Sequence, residues 1–428
     1  MERIKMEELV RWKEKPGRKP LILKGARQVG KTWLMKEFGE RYFDQTAYVN
    51  LDRNSRMRRV FDGDFDVEAI LMALNIETGV AIQPERTLII LDEIQEAPRA
   101  ISALKYFCED APEYAIVAAG SLLGVAIHEG ASFPVGKVDT MDIHPLNYRE
   151  FLIAMGERPL ADLLMQRKYA LMEAFAEKYI RLLKLYLYTG GMPEVVDAYA
   201  QRRDIVEVRS IQRTILELYE DDFGKHAPKE DLPRIRMVWN AVPLQLAKEN
   251  KKFFFGQVKV GARAKDFEKA IQWLTDCGLL TKVYRVEKPA MPLKSYIDFA
   301  AFKIYMLDVG LLGALSDLDA RAILEESEIF VEFKGALAEQ YVLQQLISDT
   351  QYTPYYYSVS SHNEIDFVLQ REGQVVPLEV KAAENLRSKS LRAYCDKFKP
   401  VLAVRTSLSG YREQEWMTNL PLYAVMTL

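Results

Sequence analysis

Lys31 and Thr32 close the stretch Gly25-Ala26-Arg27-Gln28-Val29-Gly30-Lys31-Thr32, which fits G-x-x-x-x-G-K-[ST] at every position. Its two glycines let the backbone curl, so that successive N–H groups turn inward on phosphate oxygens. Lys31 carries a compact positive charge to the β- and γ-phosphates, and Thr32 offers its hydroxyl to Mg²⁺. The candidate nucleotide contacts run from Gly25 to Trp33. Asp92 and Glu93 end a second stretch, Thr87-Leu88-Ile89-Ile90-Leu91. Asp92 would hold the Mg²⁺, directly or through water, and Glu93 would polarise the attacking water. Ser121 ends a third stretch, Tyr114 to Gly120. It either senses the γ-phosphate and helps place the water, or caps the helix after it.

A second set of reactive residues lies near the other end of the chain. Asp366 falls in Glu364 to Gln370 and Glu379 in Gln374 to Ala382, with a turn at Glu372-Gly373 between them. A tight hairpin there puts Arg371 opposite Gln374 and, counting outward, Asp366 opposite Glu379. Alternation along each strand then gathers Ile365, Phe367, Leu369, Val376, Leu378 and Val380 on a core face. Asp366, Glu379 and Lys381 occupy the other. Facing carboxylates repel and need a partner, either a divalent ion or Lys381. An Asp, a spacer and Glu-x-Lys form the PD-(D/E)xK pattern. There the acids hold Mg²⁺ or Mn²⁺ and the lysine helps activate water for phosphodiester attack. Glu339, on the preceding helix Phe330 to Leu346, stands where many such cores carry an extra acid. The alternatives are a solvated charged face, or a nuclease-like fold that serves as an interaction platform. Glu-Gly is a weak two-residue turn, and Pro377 cannot donate to a ladder.

These residues need particular elements behind them. Pro20 to Leu23 is expected as a buried strand feeding the phosphate loop, and Trp33 to Phe38 as a helix whose N-terminus favours a bound anion. Strands are also expected at Thr46 to Asp52, Thr87 to Glu93, Tyr114 to Ser121 and Lys137 to Ile143, with helices between them. This is the pattern of a doubly wound α/β sheet, of the P-loop (AAA/RecA-like) kind, with ATP at its carboxyl edge.

The chain has 428 residues, about half of them apolar, and a net charge of −3. That length predicts about three domains. No global basic field is present, so a nucleic-acid partner would need a local patch. Cys108, Cys277 and Cys395 are far apart, and His128, His144, His226 and His362 do not cluster. The pattern argues against a disulfide framework or a zinc site and favours a reducing compartment. The charged N-terminus and the lack of a long apolar run predict a soluble, cytoplasmic protein without a membrane partner.

The sequence resembles the AAA-type P-loop ATPases of bacteria and archaea that carry a C-terminal domain of unknown function with a restriction-endonuclease-like core. The phosphate loop, Leu91 to Gln95, Gly120-Ser121, His144-Pro145-Leu146 and Arg149-Glu150-Phe151 carry the likeness. It continues in Gly190-Gly191-Met192-Pro193-Glu194, Leu307 to Leu312, and Gly335-Ala336 leading to Glu339. The resemblance implies an ATPase domain over 1–150, a helical lid over 151–204, a middle domain over 205–325 and a nuclease-like domain over 326–428. Lids of this kind carry arginines that report the γ-phosphate.

Within the middle stretch, a helix from Asp266 to Cys277, Gly278, and an alternating strand from Leu279 to Val286 have the shape of a winged helix. Lys248, Lys251, Lys252, Lys259, Arg263, Lys265 and Lys269 precede or enter it, against Glu249, Asp266 and Glu268. They form either a contact surface for DNA or RNA phosphates or a solvated face. Three functions follow: an ATP-driven nucleic-acid enzyme, an ATP-dependent switch with a nuclease-like platform, and a protein-remodelling ATPase. ATP and ADP are the expected ligands, and an oligomer is compatible with all three.

Overall fold

The computed structural model describes residues 1–121, 124, 133–248, 251–324, 331–349, 352–360, 363–382 and 388–428. His128, Glu249, Phe330, His362 and most of the stretch after Ser121 lie outside them. The chain divides into two compact units. One is Glu2–His144 with Asp276–Gly278; the other is Pro145–Thr275 with Leu279–Leu428, and Met1 groups with the latter.

The first unit holds β1 (Leu21–Lys24), β2 (Gln45–Asn50), β3 (Thr87–Asp92), β4 (Ala115–Gly120) and β5 (Asp139–Asp142), in the order β2-β3-β4-β1-β5. All neighbours are parallel. Every residue of β3 and β4 is buried, as central parallel strands covered on both faces require. Ile89, Leu91 and Ile116 pack with Ile101, Leu104 and Phe107 of helix Pro98–Asp110. Asp66 caps helix Val67–Thr78 by accepting from the Glu68 and Ala69 N–H groups, and Gly79 ends it in a left-handed turn. β1 lies between β4 and β5, where the strand order reverses. Such a switch point opens a crevice at the carboxyl edge.

The second unit begins with helices and ends in one eight-stranded sheet. Its strands are β6 (Leu280–Val286), β7 (Ile297–Met306), β8 (Tyr355–Ser360), β9 (Asn363–Arg371), β10 (Gln374–Val380), β11 (Val404–Ser407), β12 (Arg412–Glu413) and β13 (Thr418–Pro421). The order is β12-β13-β11-β10-β9-β8-β6-β7. Helix Ala264–Asp276 is followed by β6, as expected, and β6 pairs with β7 in antiparallel. The two strands also belong to a larger sheet. β6 also pairs in parallel with β8, at Arg285↔Tyr356 and Val286↔Tyr357. Pairing that second edge satisfies backbone groups an isolated wing would leave to water. The helices expected as a lid pack against the C-terminal segment of this unit. Tyr169 stacks on Tyr411 at 4.0 Å and Tyr179 on Tyr423 at 4.6 Å.

Several resemblance motifs meet in one buried polar network. Helix Val331–Asp349 projects Gln340, Gln344 and Gln345, all buried. Gln340 accepts from the Met306 N–H and donates to its carbonyl, and Gln344 accepts from the Val309 N–H. Gln345 accepts from the Tyr148 N–H at 2.7 Å. Asp308 accepts from Gly191 N–H, Leu311 N–H and Gln344. A Cβ on Gly191 would collide with the Leu146 carbonyl. Leu146, the Gly190-Gly191 turn and Asp308 therefore interlock because their backbones approach too closely for side chains.

Candidate functional site

The crevice of the first unit is built from four strand ends. The phosphate loop leaves β1 and enters helix Lys31–Tyr42 through Gly30, which is left-handed at φ 92°. Gly25 has φ 145°, and a Cβ there would collide with the Ile143 carbonyl. Glycine is thus required where the loop turns away from β1. Arg3, buried, donates to the Val29 carbonyl at 2.8 Å and to the His144 carbonyl at 2.7 Å. It fastens the loop to the chain after β5. No motif singles it out, because its partners are backbone atoms remote in sequence.

Lys31 is buried, and its ammonium donates to the Gly25 and Ala26 carbonyls at 2.8 and 2.7 Å. Burial lowers its pKa to about 8; the Glu93 and Asp92 carboxylates pull it up, and Arg27 opposes them. The Thr32 hydroxyl donates to Asp92 Oδ2 at 2.8 Å, and the Tyr48 hydroxyl donates to the same oxygen at 2.9 Å. Tyr48 arrives from β2, whose Asn50 pairs with Asp92. Only the strand order brings it there.

Glu93 has φ 52° and ψ 47°, a left-handed conformation seldom taken by non-glycine residues and often associated with functional sites. Its Oε2 accepts from Gln95 Nε2 at 2.6 Å and from the Ser121 hydroxyl at 3.4 Å. Arg27 Nε donates to Ser121 at 3.2 Å. β4 lies between β1 and β3, so Ser121 stands between the phosphate loop and the two acids. Lys31, Thr32, Asp92, Glu93 and Ser121 thus come together. Ala26, Gln28 and Val29 belong to the loop itself, and Trp33 is 38 % exposed on the first turn of the helix.

The C-terminal acids are arranged differently from expectation. The β9–β10 register runs from Gln374↔Arg371 to Leu378↔Phe367, as the hairpin count predicts. A bulge follows: β8 pairs Tyr355 with Val368 and Tyr357 with Ile365, three steps on β9 against two on β8. Ile365 and Val368 consequently share one cluster, with Leu391 and Tyr394. Phe367, between them, packs 6.1 Å from Tyr305.

Asp366 sits at that bulge. Its carboxylate accepts from the Val380 N–H at 2.7 Å and lies in the field of Glu339, Lys303, Lys251 and Glu364. Glu379 pairs beside Arg405 of β11, and its Oε1 is 3.3 Å from the Lys381 ammonium. Glu379 also acts on Cys395 of helix Lys389–Phe398. The expected convergence of Asp366, Glu379 and Glu339 on one ion is therefore not what the fold produces. Asp366 joins Glu339, while Glu379 and Lys381 lie toward Arg405. Among the described residues, no group of three or more His, Cys, Asp or Glu is placed to hold a metal ion.

Lysines neutralise the acids instead. Lys303, fully buried, is 2.5 Å from Glu364 and 3.5 Å from Glu339. Lys251 pairs with Glu339, and Tyr305 donates to Glu339 at 3.1 Å. Lys251 is therefore not available to phosphates as the basic segment predicted. Burial opposes the charge on Glu339, but Lys251 and Lys303 outweigh it and hold its pKa at about 2. Burial, then the Glu339 carboxylate, pushes Asp366 up to about 8.

Residues 17–152 match the model of the AAA domain. Residues 180–322 and 334–425 match two models each described as a domain of unknown function (DUF8612 and DUF4143). The AAA match thus spans most of the first unit. A comparison with curated proteins finds no match. Among solved structures, a Walker-type ATPase of Pyrococcus abyssi is similar at a TM-score of 0.45 and 11% identity, over 73% of this chain and 94% of that one. The Orc1 protein of Aeropyrum pernix, in complex with DNA, gives 0.29 and 14%, over 74% and 93%. The RuvB Holliday junction branch migration motor of Thermotoga maritima gives 0.29 and 14%, over 65% and 87%.

Proposed function

We propose that this protein binds ATP with Mg²⁺ and hydrolyses it at the edge of β1, β3 and β4. The observation that carries the reading is the meeting of Lys31, Thr32, Asp92, Glu93 and Ser121 in one crevice. The loop N–H groups and Lys31 bind the phosphates. Burial makes the Lys31 charge costly without an anion, so a triphosphate supplies what its two carbonyl partners do not. Thr32 and Asp92, a hydroxyl and a carboxylate 2.8 Å apart, fit a magnesium ion, which would shield the β- and γ-phosphates. Glu93, steadied by Gln95, is the base that polarises water, and Ser121, held by Arg27, places that water against the γ-phosphate.

Lys31→Ala should abolish ATP binding measured by calorimetry. Glu93→Gln should retain binding and lose at least about a hundredfold in turnover. Equal hydrolysis by wild type and Glu93→Gln would remove Glu93 from the role of base.

For the C-terminal region, an ATP-dependent switch with a non-cleaving nuclease-like platform is favoured over a metal nuclease. Lys251 and Lys303 neutralise Glu339, and Glu379 is paired with Lys381. Coupling to DNA or RNA is supported by charge: residues 248–300 hold eleven Lys and Arg against six Asp and Glu, in a chain of net charge −3. No helix among the described residues is long and apolar enough to cross a membrane.

A further inference from the structure

We infer that the outer edge of the eight-stranded sheet, around Phe299 and Tyr284, is a stacking platform for single-stranded nucleic acid. The inference rests on the nucleic-acid reading and names the surface and the strand state it takes. Among the described residues β7 is the last strand of the sheet, so one of its edges has no strand neighbour there. Its pairing with β6 jumps from Tyr284↔Phe302 to Arg285↔Asp298, leaving Phe299, Ala300 and Ala301 as extra residues. This bulge turns the Phe299 ring out to 73 % exposure. Bulges on sheet edges commonly re-aim a side chain.

A large aromatic held out in water is costly unless something covers it. Behind it the surface is built rather than loose. Tyr284 lies edge-on to Phe299 at 5.7 Å and 6.0 Å from Phe302. Phe302 stacks on Phe253 at 5.5 Å, and the Phe253 N–H donates to the Phe302 carbonyl at 2.7 Å. The Lys282 ammonium stands 5.5 Å above the Phe302 ring.

Charge selects the occupant. Apart from the buried Lys303, the β6–β7 hairpin carries Lys282, Arg285, Lys288 and Lys294 against Glu287 and Asp298, and Arg285 is paired with Asp298 at 2.5 Å. Lys288 and Lys294 are exposed, as are Lys259, Arg263, Lys265 and Lys269 before and along the adjacent helix. Rings for base faces interleaved with cations for phosphates are what a single strand requires. A duplex hides its base faces and would leave Phe299 without a role.

The test is fluorescence anisotropy with labelled oligothymidylate and oligouridylate and a duplex of the same length, on the full chain without nucleotide. The single strands should bind, with log K falling linearly against log salt. Phe299→Ala should weaken binding about tenfold with the salt slope unchanged, as stacking predicts. Lys282→Glu with Lys288→Glu should flatten the slope by about 0.7 for each lost phosphate contact. The ratio of the two oligonucleotide affinities distinguishes DNA from RNA. No single-strand binding at low salt, or equal binding by Phe299→Ala, overturns the inference. Self-association abolished by Phe299→Ala, with oligonucleotide binding intact, assigns the surface to a second copy and overturns it as well. ATP binding is measured separately with Lys31→Ala, so failure of the ATPase reading and failure of this one are distinguishable.

Discussion

Lys31 and Asp366 are both buried, and burial shifts them in opposite directions because it disfavours whichever form is charged. For Lys31 the consequence is a limit on nucleotide binding. Its pKa is about 8 without ligand, and a bound triphosphate must raise it. ATP affinity should hold up to about pH 8 and then fall by up to about tenfold per unit. Calorimetry from about pH 7 to about pH 9.5 should show that break. A flat profile would mean Lys31 is charged throughout. For Asp366 the consequence is stability. Its folded pKa, about 8, lies above the unfolded value of about 3.9. The fold therefore binds the extra proton, and the stability this gives is complete below about pH 4 and is lost as pH rises through about 8. Glu339 has the opposite sign: held at about 2, its contribution is present above about pH 4 and lost only as pH falls toward 2. Asp366→Asn keeps an oxygen for the Val380 N–H and removes the charge. It should raise stability near pH 8 by about 1 kcal/mol or more and flatten the pH 4 to 8 slope in thermal unfolding. An unchanged slope would place the titration elsewhere.

At the scale of elements, one bulge decides the chemistry of the β9–β10 hairpin. Alternation alone places Asp366 beside Glu379, and the pairing up to Leu378↔Phe367 obeys it. The next step on β9 is taken up by the bulge against β8, so Asp366 faces Glu339 and the two lysines. Two predictions follow from this neutralisation. Mg²⁺ or Mn²⁺ without nucleotide should leave the unfolding of the second unit unchanged, because a ligand stabilises only what it binds. Lys303→Met should instead cost about 3–5 kcal/mol, since it strands Glu364 without its buried cation and leaves Glu339 to Lys251 alone. Denaturant unfolding measures both. A metal-induced rise in midpoint for the wild type would return the acids to an ion-binding role.

At the scale of the molecule, sheet continuity sets what can fold alone. β6 and β7 belong to the sheet of β8 to β13, so a fragment of 326–428 would expose the edge of β8. It should aggregate or show no cooperative transition by circular dichroism, whereas 145–428 should unfold cooperatively. A stable, monomeric 326–428 would reinstate the boundary. The crevice at the edge of β1, β3 and β4 was largely legible in the sequence because its parts are local. Gly25 to Thr32 is one loop between one strand and one helix, and Asp92-Glu93 end one strand, so spacing and alternation suffice. Apolar runs likewise announced an α/β sheet and the later helix and strand from Asp266 to Val286. Arg3 and Tyr48 gave no signal of comparable strength, because their roles depend on which strands become neighbours. The same holds for the joining of β6 to β8 in the C-terminal sheet and for the lysines that neutralise Glu339 and Glu364. Strand order, a bulge and a buried lysine are long-range facts. They are decided when backbone edges find partners and buried charges find counter-charges, and no residue's immediate neighbours in sequence specify either.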